Sequence, residues 1–559
     1  MARITLTDVR RLTQDSTRML TQEPLCPAAS RSALPASLRK FALIYFASFV
    51  AVWALYHDTN ITFLRADSGY YQMLAHLSHA QQEQTIRGFW RTSADGHYTP
   101  LAFSAEFLFT KFAGTREAIW RCRQLSTVAL VGAALFCLLV SGMRALEFSL
   151  RTSEMIAAGI TVVFLSNPLT TDYVAWPFHI MQLEWMLLTI MTLCLLLRTV
   201  RHPNEKKWPW LAAACGYASM HVLGLGFVTA CGTAAVLLVL SIGTLLCKLD
   251  RFAGQRRNLI ASFAVLIVLT AAHGLCMLLL VTPHEIDTSN HAYRFGVTHV
   301  LGLAGLYVPF ALLSVFGVII NPTTTADVVQ SAWPFGAFVL LAAFATVMIA
   351  IYNSFGRCGT VPLARATLLI FSVTGFLALL SVVSVREWHR PSDLALFGFL
   401  VGPRYLLPVG IILSGSLLWL ISLARNARAS VVATLSLGLG LAAYLAHNGY
   451  ERRLSPRVTP LNCISHDHAW QLIVTSAHEA KSAQLRIPNL PMGALTQEFY
   501  DFDLKLFEPL LHDELQLPRR ERCEFVDWRD CRTTMRANYD RAVPSLRPLI
   551  DLLRLEEKN

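Results

Sequence analysis

Residues 41–56 read FALIYFASFVAVWALY, and the polar sequence HDTNITFLRADSGYY follows directly at 57–71. The first run carries no charged residue and, with its flanking residues, has about the length of a membrane-spanning helix. The polar segment continues for about thirty residues before GHYTPL at 96–101, well beyond a usual connection between helices. A long hydrophilic segment with Asp67 near its start, lying at a membrane surface, is a candidate reaction site.

The composition defines the class of protein. The chain has 559 residues, of which 54% are hydrophobic and only 15% charged, with a mean hydropathy of +0.44. Soluble domains are about one quarter charged, so the composition predicts a multi-span membrane protein. The apolar runs are continuous and lack the alternation of a barrel strand, which predicts an all-α helical bundle.

Eleven apolar runs are predicted to cross the membrane. They are residues 40–57, 124–143, 154–172, 179–198, 208–222, 225–247, 258–281, 332–353, 365–385, 403–424 and 429–447. The run 297–320 is also apolar, but Gly302, Gly305, Pro309 and Gly317 interrupt it. We interpret it as a re-entrant or interfacial segment, because a further crossing would invert every loop that follows.

The distribution of positive charge predicts the orientation. Basic residues cluster in the N-terminal segment 1–39 and in alternate short loops, such as those around Arg144, Arg198, Arg251 and Arg425. The positive-inside rule then makes the N-terminus cytoplasmic. The loop 58–123 and a small C-terminal domain, 448–559, would be external to a plasma (inner) membrane, and 40–447 would form the transmembrane domain. Because forty polar residues precede the first span, we expect it to stay as an anchor.

The net charge of +11 does not indicate nucleic-acid binding, since topology explains the excess. The sequence has neither a Walker A motif nor a dinucleotide-binding fingerprint. A reaction on the outer face would therefore take its energy from an activated, lipid-linked substrate.

The cysteines indicate no structural zinc site, because none has the required Cys/His spacing. Six of the twelve cysteines lie in predicted spans, where a thiol behaves as a small apolar group. In the predicted external tail, Cys523 and Cys531 are close enough in sequence to be bridged, which leaves Cys463 over; the pairing is open.

The order of these features resembles the GT-C superfamily of membrane glycosyltransferases, which use polyprenyl-phosphate sugars; protein O-mannosyltransferases and lipid A aminoarabinose transferases are examples. The resemblance is carried by the Asp67 motif, the long external loop, the amphipathic stretch 103–114 and the basic Arg121-Cys122-Arg123. It continues in Ser166-Asn167-Pro168, which ends the third span, and in GPRYLLP at 402–408.

The resemblance implies roles for individual residues. Asp67 would be the catalytic base, with Asp172 and His97 completing the catalytic set. Arg404 would bind the donor phosphate, because a guanidinium is always charged and can donate two hydrogen bonds to it. The substrate-binding residues are predicted to be Arg404, Tyr405, Arg294, Arg386 and Glu106.

A structural interpretation stands beside each of these roles. Asp67 could begin a helix as its N-cap, and Asp172 could be a solvated loop residue. Arg404 could reach the headgroups beside Tyr405, and Glu106 could lie on the solvated face of a helix. His97 could pack beneath its neighbours.

The sequence departs from both named families. Asp67-Ser68 stands where many relatives have an Asp-Glu pair, and His97-Tyr98-Thr99-Pro100 stands roughly where aminoarabinose transferases have a Lys-Pro-Pro sequence. The particular sugar and acceptor are therefore not carried over. No definite cofactor is indicated, and a divalent metal is an open alternative because some superfamily members use one.

The predicted function is transfer of a sugar from a polyprenyl-phosphate donor to an extracytoplasmic hydroxyl on a glycan, lipid or protein. One alternative is a transporter or flippase of lipid-linked glycan, which would place ionisable residues at mid-span and show repeat symmetry. The other is a noncatalytic membrane assembly protein that has kept the bundle.

Overall fold

A computed structural model describes residues 36–57, 59, 61, 66–75, 77–91, 98–167, 170–246, 252–280 and 360–386. It also describes isolated positions at 341, 345, 348, 352, 474 and 478, and the segments 487–489 and 525–527. The chain divides into two units, 1–44 and 45–559, and the first helix begins in one and ends in the other.

The described part of the chain is almost entirely helical. The first helices are α1 (Ala36–Tyr56), α2 (Ala66–Ala75), α3 (His79–Phe89), α4 (Pro100–Ala113), α5 (Glu117–Ala145) and α6 (Leu150–Leu165). A short α7 (Thr170–Ala175) and a 3-10 turn (Pro177–His179) lead into α8 (Ile180–Arg201). The remaining helices are α9 (Lys207–Met220), α10 (Gly226–Leu246), α11 (Arg256–Leu280) and α12 (Thr360–Arg386).

Five of the described helical segments are long and apolar enough to cross a bilayer. They are Leu38–Tyr56, Glu117–Ala145, Pro177–Arg201, Gly226–Leu245 and Arg256–Met277. Each coincides with a predicted span, so the prediction of a helical membrane protein is confirmed at this level. The total of about eleven spans stays a prediction.

Several boundaries differ from those predicted. The segment 58–123 contains the three helices α2, α3 and α4, and α4 covers most of the predicted amphipathic stretch. Helix α5 begins at Glu117, seven residues before the predicted start at 124, so Arg121 and Arg123 lie within its first turns. The predicted third span ends earlier than expected, at Leu165, because Ser166 closes α6 as its C-cap.

Large side chains between α5 and its neighbours form the core. Helix α5 packs against α6 and α8, α9 packs against α8 and α10, and α12 packs against α10. Trp120 and Trp185 are among the largest fully buried side chains. The buried Trp185 indole donates to the Thr229 hydroxyl over 3.0 Å, and this hydroxyl also lies 2.7 Å from the Thr189 hydroxyl. These bonds satisfy polar groups between α8 and α10 that would otherwise destabilise the core.

The turn between α9 and α10 requires a glycine. A Cβ at Gly226 would overlap the backbone of Ser219. The Ser219 hydroxyl donates to the Gly216 carbonyl over 2.6 Å and lies 3.0 Å from the Gly226 carbonyl. The close approach lets α10 return beside α9 after a few residues.

In the C-terminal tail the structure describes two short strands. β1 (Ile487–Asn489) and β2 (Phe525–Asp527) pair in parallel, with Ile487 opposite Phe525. The predicted spans 403–424 and 429–447, the run 297–320, most of 332–353 and most of the tail lie outside the described residues, as do the three tail cysteines.

Candidate functional site

The ends of α1 and α6 are joined at one end of the bundle. The buried Tyr56 hydroxyl donates to the Leu165 carbonyl over 2.7 Å and lies 3.2 Å from the Asn167 carbonyl. Carbonyls at the end of a helix lack partners within that helix, so this tyrosine satisfies the end of α6. These contacts fix Ser166 and Asn167 beside the end of α1, where the polar segment begins.

The helix that carries Asp67 contacts the turn that follows the helix carrying Asp172. The Phe178 amide donates to the buried Ser68 hydroxyl over 3.1 Å, and the Tyr71 and Phe178 rings are stacked with centroids 6.0 Å apart. Asp67 is the second residue of α2 and Asp172 the third residue of α7. Their side chains lie outside the described part of the structure. The helix that carries Asp67 therefore contacts the turn that begins five residues after Asp172.

The carbonyl of Gly114 joins α2 to α4 and α5. It accepts from the Gln72 side-chain amide over 3.0 Å and from the Trp120 indole over 2.7 Å. Gly114 has a φ of +53°, a conformation that glycine adopts without a Cβ penalty. This glycine ends α4 and turns its carbonyl toward both donors.

A buried ion pair joins α4 to α5. The Arg123 guanidinium donates to the two Glu106 carboxylate oxygens over 2.6 and 3.0 Å. The Glu106 side chain is 2% exposed and that of Arg123 14% exposed. Arg123 also lies 4.0 Å from the centre of the Phe109 ring and 4.7 Å from that of Trp120. Glu106 was predicted to contact substrate; that contact stays a prediction, and the structure adds that both oxygens accept from Arg123.

Side chains of the same turn of α5 donate to backbone carbonyls in and after α7. Arg123 donates to the Pro177 carbonyl over 3.2 Å. The Gln124 side-chain amide donates to the Tyr173 carbonyl over 2.8 Å and lies 3.4 Å from the Trp176 carbonyl. These donors hold the stretch that begins one residue after Asp172.

A second carboxylate lies near the ion pair. Glu184, the fifth residue of α8, interacts electrostatically with both Glu106 and Arg123. Glu184 thus belongs with the polar groups at the start of its helix.

The residues around the start of α4 contact a different part of the bundle. The Tyr98 ring lies 5.5 Å from the ring of His273 on α11, which is 4.9 Å from His221. The Ala102 amide donates to the His221 carbonyl over 3.2 Å. Burial raises the pKa of Tyr98, with smaller contributions from Cys276 and Tyr217. The residue after His97 therefore packs against α9 and α11, whereas the residue after Asp67 packs against the turn after α7.

The other predicted site residues cannot be added to this geometry. His97, Arg294, Arg404 and Tyr405 lie outside the described residues, and Arg386 is the last residue of α12, with its side chain outside them. Among the described side chains, no group of three or more His, Cys, Asp or Glu residues has the arrangement of a metal site.

Sequence reasoning missed the partnership of Arg123 and Gln124 with the residues around them. A usable signal was present, because a charge within the first turns of a spanning helix is costly unless it finds a partner. Glu106 was the available acidic residue on the preceding helix. Gln124 gave no comparable signal, since an amide is common on any helix.

Comparison with protein-family models found no match to this sequence, and comparison with curated protein sequences found no significant match.

Proposed function

We propose that this protein is a membrane glycosyltransferase that moves a sugar from a polyprenyl-phosphate donor to a hydroxyl of a glycan, lipid or protein. The observation that supports it most is the contact between α2 and the turn after α7, made by the Phe178 amide and the Ser68 hydroxyl. Asp67 is adjacent to one side of this contact, and Asp172 lies six residues before the other. Two acidic residues, one on α2 and one a few residues before the turn that α2 contacts, suit transfer at a membrane surface.

The proposed reaction is a direct displacement. The acceptor oxygen attacks the anomeric carbon of the donor as the bond from that carbon to the phosphate oxygen breaks. Asp67 takes the proton of the acceptor hydroxyl, and the polyprenyl phosphate leaves with the bonding electrons. A carboxylate such as Asp172 stabilises the positive charge that develops on the sugar.

The remaining predicted residues complete this proposal. Arg404, with Tyr405, Arg386 and Arg294, would hold the departing phosphate, because charge-assisted hydrogen bonds stabilise its developing charge. His97 would act beside Asp67. The protein would sit in a plasma (inner) membrane with its reaction on the external face, where the acceptor glycan, lipid or protein is found.

The test compares cells that express the wild type or Asp67→Asn, with surface glycans and lipids profiled by mass spectrometry. We expect one glycan or lipid species to lose a single sugar in the variant, with at least a hundredfold less product, since a positioned base contributes about 10²–10⁴-fold. Membrane insertion and protein level are measured in parallel.

The matched control is Glu83→Gln, which neutralises an exposed carboxylate in the same segment. It is expected to keep the wild-type profile. A wild-type profile in Asp67→Asn cells at equal protein level would reject the proposed base and favour the alternatives of lipid-linked glycan transport or noncatalytic assembly.

A further inference from the structure

We propose that Glu106, Arg123 and Gln124 form a positioning clasp, which holds the segment 170–178 against α2. The clasp thereby fixes the position of Asp172 relative to Asp67. This inference rests on the proposed transferase function. None of the three residues is assigned a direct role in bond formation; they act through the backbone that they bind.

The clasp binds the segment 170–178 through the backbone carbonyls of that segment. Helix α7 has only six residues, so it provides few hydrogen bonds of its own. Arg123 and Gln124 donate to three carbonyls in and after it, those of Tyr173, Trp176 and Pro177. The last two also accept from the backbone amides of His179 and Ile180. The clasp therefore determines the path of the chain from Asp172 to the start of α8.

The next amide along the chain makes the contact with α2. Phe178 follows Pro177 directly, and its N–H donates to the buried Ser68 hydroxyl, which is adjacent to Asp67. A continuous series of short contacts thus runs from Arg123 through Pro177 and Phe178 to Ser68. The Pro177 carbonyl also accepts from the Ile180 amide, so loss of Arg123 removes one of these two donors and loosens the position of the adjacent Phe178 amide.

Glu106 holds the guanidinium in the orientation that this series requires. Its two oxygens accept from Nη1 and Nη2 of Arg123, and Nη2 is also the donor to Pro177. A bidentate pair fixes the plane of the guanidinium, and the Phe109 and Trp120 rings beside it restrict the remaining freedom. Without the Glu106 carboxylate, the Arg123 guanidinium would stay charged but would no longer be held in this orientation.

A positioning role and a purely stabilising role predict different results for a double variant. Removing one partner of a buried ion pair leaves an uncompensated charge, whereas replacing both partners by apolar residues of similar size is often tolerated. Glu106→Met with Arg123→Met should therefore restore stability relative to Glu106→Gln alone. It cannot restore the bond from Arg123 to the Pro177 carbonyl, which keeps the Ile180 amide as a donor.

The experiment uses the full chain in lipid nanodiscs and in cells. Hydrogen exchange of the peptide covering 170–178 reports the clasp, and the initial rate at which the product lost in Asp67→Asn cells appears after induction reports transfer. For the double variant and for Gln124→Met, we expect about tenfold faster exchange at the Phe178 amide. The rate of transfer should fall about a hundredfold, as small displacements of reacting groups can do.

The exposed pair of Glu83 and Arg87 provides the control, since it has the same N–O distance of 2.6 Å but lies on the surface of α3. Glu83→Gln should change neither readout. Wild-type transfer in a double variant of restored stability, or unchanged exchange in 170–178, would overturn the clasp. Failure of the transferase proposal is separate, because it would show as unchanged product in Asp67→Asn cells whatever the exchange data give.

Discussion

The 58–123 segment and its junction with α5 contain two ion pairs with the same shortest N–O distance and opposite surroundings. Glu83 and Arg87 lie on one face of α3 at 2.6 Å, with side chains 54% and 65% exposed. Glu106 and Arg123 join α4 to α5, also at 2.6 Å, with side chains 2% and 14% exposed. The same contact geometry therefore has a different importance in the two places.

The difference follows from what each charge would meet if its partner were removed. Around the exposed pair, water and salt replace the lost partner at little cost. Around the buried pair, the remaining charge faces aromatic rings, so breaking the pair is expensive even where forming it gained little. The buried pair is informative because Arg123 also binds the Pro177 carbonyl.

Glu106→Gln should have the largest effect on stability. The change leaves the largely buried Arg123 without its bidentate partner, and we expect a loss of about 3 kcal/mol in the free energy of unfolding. Reversible denaturation in mixed micelles measures this loss. An effect no larger than that of Glu83→Gln would mean that Arg123 is solvated and that the burial argument fails.

Tyr56→Phe should come next, by removing a buried neutral hydrogen bond. The Leu165 and Asn167 carbonyls at the end of α6 would lose their shared donor, which we expect to cost about 1.5 kcal/mol. Tyr45→Phe, the same change at a half-buried tyrosine of the same helix, is the control and should be nearly neutral. Equal losses for the two variants would contradict the assigned bond.

The two ion pairs also show what the sequence could and could not predict. Glu83 and Arg87 are four residues apart on a helix, so their contact follows from helical geometry. Glu106 and Arg123 are seventeen residues apart, and their contact depends on how Gly114 turns α4 back toward α5. Apolar runs predicted the described spans because a span, like the exposed pair, depends on residues that are close together in the sequence. The predicted span starts at 124, seven residues after α5 begins at Glu117, because Arg121 and Arg123 were interpreted as its boundary.

Within the candidate site, the same limit applies. Asp67 was chosen because its motif carries the resemblance, and Asp172 because it is a second carboxylate predicted near the outer membrane surface. That α2 and the turn after α7 touch through Ser68 and Phe178 depends on the packing of three helices, which no local pattern records. Arg123 was visible as a costly charge, whereas its contact with a carbonyl of a distant turn was not.

Ser68→Ala should have a smaller effect on stability than either change above. It removes the acceptor of the Phe178 amide, and we expect a loss of about 1 kcal/mol together with faster exchange of that amide. Ser104→Ala is the matched control, because the Ser104 hydroxyl accepts from the exposed Trp90 indole over 3.2 Å, where water can replace it. If Phe178 exchanges at the wild-type rate in Ser68→Ala, the contact between α2 and the turn after α7 is not maintained by this bond.

Glu83→Gln should have the smallest effect and sets the scale for the others. The pair is an i, i+4 contact on an exposed helix, where such pairs contribute about 0.3–0.5 kcal/mol and are weakened by salt. We therefore expect a small loss in the free energy of unfolding that disappears when the salt concentration is raised from about 0.1 M to 1 M, since the screening length falls from roughly 10 to 3 Å. The loss in Glu106→Gln should persist under the same change, because a buried pair is screened much less. A similar salt response in both variants would remove the distinction between the two pairs, and with it the reason to place Glu106 and Arg123 in a water-excluded junction.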